Sequence, residues 1–247
     1  MKAMILAAGL GTRLRPLTND RPKALVEISG RTLLEITIQR LATFGVRDFI
    51  INVHHFADKV VDYLRQKKNF GFSIEISRED ILLDTGGGLK KASWFFLDGN
   101  GDQPFILHNV DAISTIDLSR MLQFHAENHT LATLAMQDRD TSRYLLFDER
   151  NELCGRQAGR DGTADMIRPA AKIKALAFSG IHVISPRLLP MISEDGVFSI
   201  ITTYLRLATQ KEKIQAFRAD EYYWRDLGKP DNIVQVESDI AEKRLRL

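Results

Sequence analysis

The chain has a single cysteine, Cys154, among 247 residues, which rules out an internal disulfide framework and fits a reducing compartment. No activating neighbours flank it in the sequence, so it reads as a small apolar residue and not as a nucleophile. Long hydrophobic runs are also missing. No stretch approaches the roughly 18 to 20 apolar residues of a membrane span, and the opening Met-Lys-Ala-Met-Ile-Leu is too short for the apolar core of a secretion signal. The expectation is a cytoplasmic protein with no membrane partner. Charge of one sign is scarce as well: 34 basic and 32 acidic residues leave a formal charge of +2, which gives no nucleic-acid footprint. Internal repeats and low-complexity segments are absent. What remains, with 44% hydrophobic residues, is enough to bury a full core as one α/β domain over residues 1–247.

The most informative stretch lies at the N-terminus. Residues 2 to 7 form a short apolar run of the kind found in buried parallel strands, and a segment with Gly9, Gly11, Thr12, Arg13, Arg15 and Lys23 follows. Ligands of open α/β sheets bind at the carboxyl ends of strands, so this segment stands where chemistry is expected. Glycines let backbone N–H groups approach an anion, and the three cations can neutralise a triphosphate. Two familiar phosphate loops are excluded by spacing. A dinucleotide fingerprint needs Gly where Leu14 stands, and a P-loop needs Gly-Lys-Ser/Thr where the chain has Gly11-Thr12-Arg13.

The whole string Leu6-Ala7-Ala8-Gly9-Leu10-Gly11-Thr12-Arg13-Leu14-Arg15-Pro16-Leu17-Thr18, followed by Pro22-Lys23, resembles the signature of the sugar-nucleotide pyrophosphorylases. The resemblance continues in Asp84-Thr85-Gly86-Gly87-Gly88, Asn109-Val110-Asp111, Phe178-Ser179-Gly180-Ile181 and Trp224-Arg225-Asp226-Leu227-Gly228. It implies a Rossmann-like α/β fold with a mixed, mainly parallel sheet flanked by helices. The activity implied joins an NTP to a sugar 1-phosphate and releases pyrophosphate, with Mg²⁺ as cofactor. A further C-terminal β-helix domain, common in such enzymes, is not expected, because only about twenty residues follow Trp224.

Residue by residue, the resemblance assigns Arg13 and Lys23 to catalysis. Arg13 suits the leaving pyrophosphate through bidentate bonds, and Lys23 suits the meeting point of α-phosphate and sugar phosphate. Ala8, Gly9, Gly11, Thr12, Arg13, Thr85, Gly86, Gly87 and Asn109 are implied nucleotide contacts, and Asp111 and Asp226 the metal ligands. Val110 replaces the usual Gly before the first aspartate, and a β-branched residue dislikes positive φ. On the sugar side, Lys23, Arg168 and Gly180 are the implied contacts, with Arg168 in the place of a phosphate-binding Lys. Ile167 stands where many relatives carry a carboxylate, so the sugar ring must be held differently. Phe178-Ser179-Gly180-Ile181 and the triple glycine are closest to short N-acetylmuramate 1-phosphate uridylyltransferases. Mannose-1-phosphate guanylyltransferase is the first alternative. Choline-phosphate cytidylyltransferase is disfavoured by Gly86 to Gly88, and a silent regulatory module by the complete charge set.

Strand and helix patterns alternate through the first half, as βαβ units require. Thr32-Leu33-Leu34-Glu35 predicts a capped helix start, Phe49 to Val53 a buried strand, and residues 56 to 67 a helix. The glycine triplet reads as a loop before a helix over 89–96, and residues 156 to 165 as a mobile loop. Strands are predicted at 72–76, 105–108, 131–136, 145–147 and 175–184, and helices at 199–207 and 231–245.

Overall fold

The computed structural model describes residues 1–98 and 102–246. Its first half holds strands β1 (Lys2–Leu6), β2 (Glu27–Ile28), β3 (Arg31–Thr32), β4 (Asp48–Val53), β5 (Ser73–Arg78), β6 (Phe105–Asn109) and β7 (Ala112–Ser114). Among them lie helices α1 (Leu33–Thr43), α2 (Ala57–Gln66), α3 (Asp84–Lys91) and α4 (Ser93–Leu97). After α5 (Leu118–Glu127) come β8 (Ala132–Gln137), β9 (Arg143–Phe147), β10 (Leu153–Ala158), β11 (Ala164–Met166) and β12 (Lys174–Ile184). Helix α6 (Ile200–Thr209), β13 (Ile214–Arg218), β14 (Trp224–Asp226) and α7 (Pro230–Ala241) complete the chain.

In the spatial order β5-β4-β1-β6-β12-β8-β13, only β12 runs against its neighbours. The sheet is therefore mixed and mainly parallel. The strand β1 shows why its sequence suits this place. Met4 points into one apolar cluster with Leu89, Phe105 and Tyr204, while Ala3 and Ile5 point into another with Leu34, Leu41 and Val60. Both faces of the strand are buried, so alternation of polar and apolar residues disappears. Helices α1, α2, α5 and α7 cover one face, and α3, α4 and α6 the other.

Helix α1 starts where its cap predicts: Thr32 Oγ1 accepts from the Glu35 N–H at 3.1 Å. The Glu35 carboxylate accepts from Tyr63 Oη at 2.8 Å, tying α1 to α2. Two expectations are corrected. The glycine triplet lies inside α3, which begins at Asp84; Asp84 itself takes φ 59°, and its carboxylate accepts from the Thr85 N–H. The loop expected over residues 156 to 165 is confined to 159–163, since β10 runs to Ala158, β11 begins at Ala164 and the two pair antiparallel. A Cβ on Gly155 would lie 2.6 Å from Asp165 O, so the glycine is what lets these strands approach.

Strand β12 links two regions. Its C-terminal half lies between β6 and β8, while Lys174 to Ala177 pair with β9, which carries β10 and β11 outward as an antiparallel extension. The register shifts between Phe178 and His182, and Gly180 takes φ 74° there.

Candidate active site

The segment after β1 folds back on itself. Gly11 adopts φ 65°, its carbonyl accepts from Leu14 N–H at 2.9 Å and from Thr18 Oγ1 at 2.8 Å, and a Cβ here would crowd Thr18 at 3.0 Å. Glycine is required by both conformation and space. The fold returns Lys23 beneath the loop, where it is 8% exposed and pairs with Asp111. Arg13 remains exposed at the loop surface.

The two aspartates arrive on a short ribbon. β14 pairs antiparallel with β7, placing Asp226 opposite Ala112, next to Asp111, and Leu227 N–H donates to Asp111 O at 2.8 Å. Asp226 is oriented by Gly228 N–H, which donates to its Oδ1 at 2.7 Å. A Cβ on Gly228 would lie 2.8 Å from Arg13 Nη2 and 2.9 Å from Asp226 Oδ1, so this glycine leaves room for the guanidinium beside the carboxylate. Burial pushes the Asp226 carboxyl up from its ordinary value, the charge of Asp111 adds to this, and Lys23 opposes it. Val110 adopts no positive φ and is buried, so its β-branch is accommodated without strain.

Of these groups Lys23 and Asp111 line a cavity of about 370 Å³, together with Ala8, Gly9, Thr85 and Asn109, while Arg13 and Asp226 stand outside its lining. Its floor contains a buried polar pair. Asn52 Oδ1 accepts from Ala7 N–H at 2.8 Å, and its amide donates to Glu79 Oε1 at 2.7 Å. The second oxygen of Glu79 accepts from Leu83 N–H. Gly86 and Gly87 do not line the cavity as nucleotide contacts. Both of their N–H groups point to Phe198 O, and a Cβ would strike the Phe198 ring at 2.3 Å or Gly196 O at 2.5 Å. They are glycines because α3 packs against residues 196–200. Thr12 sits in the exposed turn above.

A second cavity, of about 710 Å³, adjoins the first through Asp84, Thr85 and Asn109. It reaches onto the antiparallel extension, where Arg143, Arg156, Leu145 and Phe178 line it. Gly180 faces Asn109, and a Cβ would lie 2.9 Å from that amide. Arg168, expected at the sugar, lines neither cavity. Its guanidinium is engaged by Asp148 at 2.9 Å, Glu152 at 3.3 Å and Leu153 O at 2.8 Å. Ile167 packs on an apolar cluster.

With this geometry in hand, similarity to known proteins is decisive. Residues 2–153 match the family model for nucleotidyl transferases. The chain belongs to this family. It is 33% identical, over 97% of each chain, to the N-acetylmuramate alpha-1-phosphate uridylyltransferase of Caulobacter vibrioides. It is 29% identical to the mannose-1-phosphate guanyltransferase of Yarrowia lipolytica over 95% of this chain, but spans 62% of that longer protein. The fold is shared with a UDP-glucose pyrophosphorylase from Acinetobacter baumanii, at a TM-score of 0.80 and 18% identity, over 100% and 95% of the two chains. The enzyme class is sugar-1-phosphate nucleotidyltransferase.

For a nucleotidyltransferase, a divalent cation needs oxygen ligands, and Asp111 and Asp226 offer two carboxylates that repel each other in a half-buried place. That donor set fits. No group of three or more candidate ligands occurs among the described residues, so substrate phosphates would complete the shell. Asn52, Glu79 and Arg139 were missed in the sequence. Arg139 lies over the Trp224 ring at 3.7 Å and donates to Phe178 O at 2.7 Å, while Trp224 Nε1 donates to Ser179 O at 2.7 Å. These contacts pin the irregular part of β12. No sequence signal marks them, because each depends on residues about 40 or more positions apart.

Proposed function

We propose that this nucleotidyltransferase transfers the uridylyl group of UTP to N-acetylmuramate 1-phosphate, using Mg²⁺ held by Asp111 and Asp226. A phosphate oxygen of the sugar substrate attacks the α-phosphorus, the bond to the bridging oxygen of the β-phosphate breaks, and pyrophosphate leaves with the bonding electrons. Arg13 is placed to take up charge on the departing pyrophosphate, because its guanidinium reaches the Asp226–Gly228 corner from the loop. Lys23 lines the cavity and is held there by Asp111, where its ammonium would meet the α-phosphate and the incoming sugar phosphate. Catalysis by this chain's residues is thus positioning and charge neutralisation with no covalent intermediate. Bound Mg²⁺ would supply further neutralisation of the phosphates. Ala8, Gly9, Thr85 and Asn109 form the nucleotide side, with Gly11 and Thr12 shaping the loop; Gly180 shapes the sugar side.

The observation that carries the choice of sugar is the second cavity. Its outer wall presents Arg143 and Arg156 where the ring would lie, and Ile167 supplies no carboxylate to accept from ring hydroxyls. Arg156 is paired with Asp165 at 2.8 Å, whereas the Arg143 guanidinium makes no ion pair among the described residues. Asp84 and Asp165 line the same cavity, so the Arg143 guanidinium is the one cation left to suit a sugar that carries a carboxylate. The full-length similarity to the Caulobacter enzyme supports the same reading. Guanylyl transfer to mannose 1-phosphate is the second reading, favoured by similarity to the guanyltransferases. In a direct competition with UTP, N-acetylmuramate 1-phosphate should exceed glucose and mannose 1-phosphates by at least about tenfold in kcat/KM, or about 1.4 kcal/mol. Equal or better use of mannose 1-phosphate with GTP refutes the muramate reading.

A further inference from the structure

The wall of the second cavity formed by β12 contains a histidine, His182. It lies in register with Leu107 of β6 on one side and Leu134 of β8 on the other, so its main chain is taken up by the sheet and the imidazole is what borders the cavity. The residue is only 1% exposed. Its ring meets the edge of Phe178 at 4.6 Å between centroids, and Phe178, Leu145, Ile200 and Ile201 supply the apolar part of the same lining. On the side of α6, Nδ1 lies 2.9 Å from Tyr204 Oη. Nε2 has no protein partner among the described residues, and unlike Nε2 of His108 it keeps some accessible surface.

The tyrosine decides which ring nitrogen carries the hydrogen. Tyr204 is fully buried, and His182 Nδ1 is the one partner of its hydroxyl among the described residues. A protonated Nδ1 would donate to the phenol oxygen and leave the phenol O–H buried with no acceptor. The hydroxyl therefore donates to Nδ1, and Nε2 bears the hydrogen. Burial pushes the ring pKa down to about 3, and His108 adds to this, so the imidazole is neutral at pH 7. His182 thus presents a single uncharged N–H donor to a lining that is partly apolar. Such a donor matches an acceptor that has no hydrogen of its own. A ring hydroxyl would bring an O–H that the side chains of Phe178, Leu145, Ile200 and Ile201 cannot accept, whereas an acetamido group brings carbonyl lone pairs and a methyl group that suits them.

We propose that His182 is a specificity-determining residue that donates from Nε2 to the acetamido carbonyl of the acceptor sugar, which rests on the reading that an N-acetylated sugar phosphate occupies this cavity.

The test is NMR of the intact enzyme labelled at the histidine nitrogens, with an uncleavable UTP or GTP analogue present and His182→Gln used for assignment. In the wild type Nε2 of His182 should be the protonated nitrogen, and a proton on Nδ1 overturns the proposal. N-acetylglucosamine 1-phosphate should give a saturable shift of the Nε2–H signal. Glucose 1-phosphate, which differs in carrying a hydroxyl in place of the acetamido group, should bind at least about tenfold more weakly. Neither ester has the carboxylate of muramate, so this comparison turns on the acetamido group alone, while the muramate reading is judged by the competition with mannose 1-phosphate. His182→Leu combined with Tyr204→Phe removes the donor and leaves no unpaired hydroxyl in the core; it should bring the two esters within about twofold of each other. His182→Gln, whose amide carries an N–H to nearly the same point, should keep part of the discrimination. No saturable shift with N-acetylglucosamine 1-phosphate overturns the proposal, as does equal binding of the two esters by the wild type or a discrimination that survives in the double variant. The tautomer and the wild-type comparison decide the matter if the double variant fails to fold.

Discussion

Asp226→Asn separates the electrostatic role of the aspartate pair from its structural role. The substitution keeps a side-chain oxygen for the Gly228 N–H, now 2.7 Å from Oδ1, and removes the charge that Asp111 opposes. The folded carboxyl is raised above its unfolded value of 3.8, first by burial and then by Asp111. A raised acid binds its proton more tightly when folded. Its favourable contribution is present below pH 3.8 and is lost as the pH climbs from there through the raised folded value. In chelator, the wild type should therefore lose stability across that window relative to Asp226→Asn, whose melting profile is flatter. At neutral pH the variant should be as stable as the wild type or more so, by up to about 1 kcal/mol, or about 2–4 °C in Tm for a chain of this size. Turnover should fall at least about 100-fold, worth about 2.7 kcal/mol of transition-state stabilisation. Melting curves in chelator and pyrophosphate release across a Mg²⁺ series measure the two effects. Near-normal turnover at limiting Mg²⁺, or lower stability in chelator, refutes the assignment and makes Asp226 a structural residue.

Two further outcomes follow from the site. Arg13→Ala should lose about 3 kcal/mol of transition-state stabilisation, expressed mainly in kcat by steady-state kinetics, and a change confined to KM would reduce Arg13 to a loop residue. Arg168→Ala should leave the KM for sugar phosphate within about twofold but lower stability by about 1–3 kcal/mol in urea denaturation, since it leaves Asp148 and Glu152 unpaired. A selective rise in that KM would return Arg168 to the sugar site.

What could be read in advance depended on whether the information was local. The strand–loop entry at Leu6 to Lys23 was legible because an apolar run, two glycines and three cations occur within one segment. Thr32 and Glu35 marked a helix start because a cap involves neighbours three residues apart. The glycine triplet was misread for the opposite reason. Gly86 and Gly87 answer to Phe198 and Gly196, more than 100 residues later, and Gly88 to Glu79 and Asn52 on other elements, so their steric role is invisible in their own surroundings. Arg168 is a similar case: the resemblance put a cation at the sugar, whereas Asp148 and Glu152 lie near enough in the folded chain to hold it. Asn52 and Glu79 carried no mark at all, because a buried amide–carboxylate pair is recognised only when β4 and the end of β5 are side by side.

The division of labour along β12 has a consequence for how such an enzyme changes its taste. One end of the strand is fixed between β6 and β8, within the layer that also supports the Asp111 turn, while the other end carries β9, β10 and β11. Leu145, Phe147 and Leu153 tie that extension to the apolar cluster of Met4, but Arg143 and Arg156, which line the second cavity, belong to neither cluster and can be exchanged without repacking them. A new acceptor sugar can then be accommodated by altering a peripheral wall, leaving the reacting phosphates on an inherited and unaltered platform.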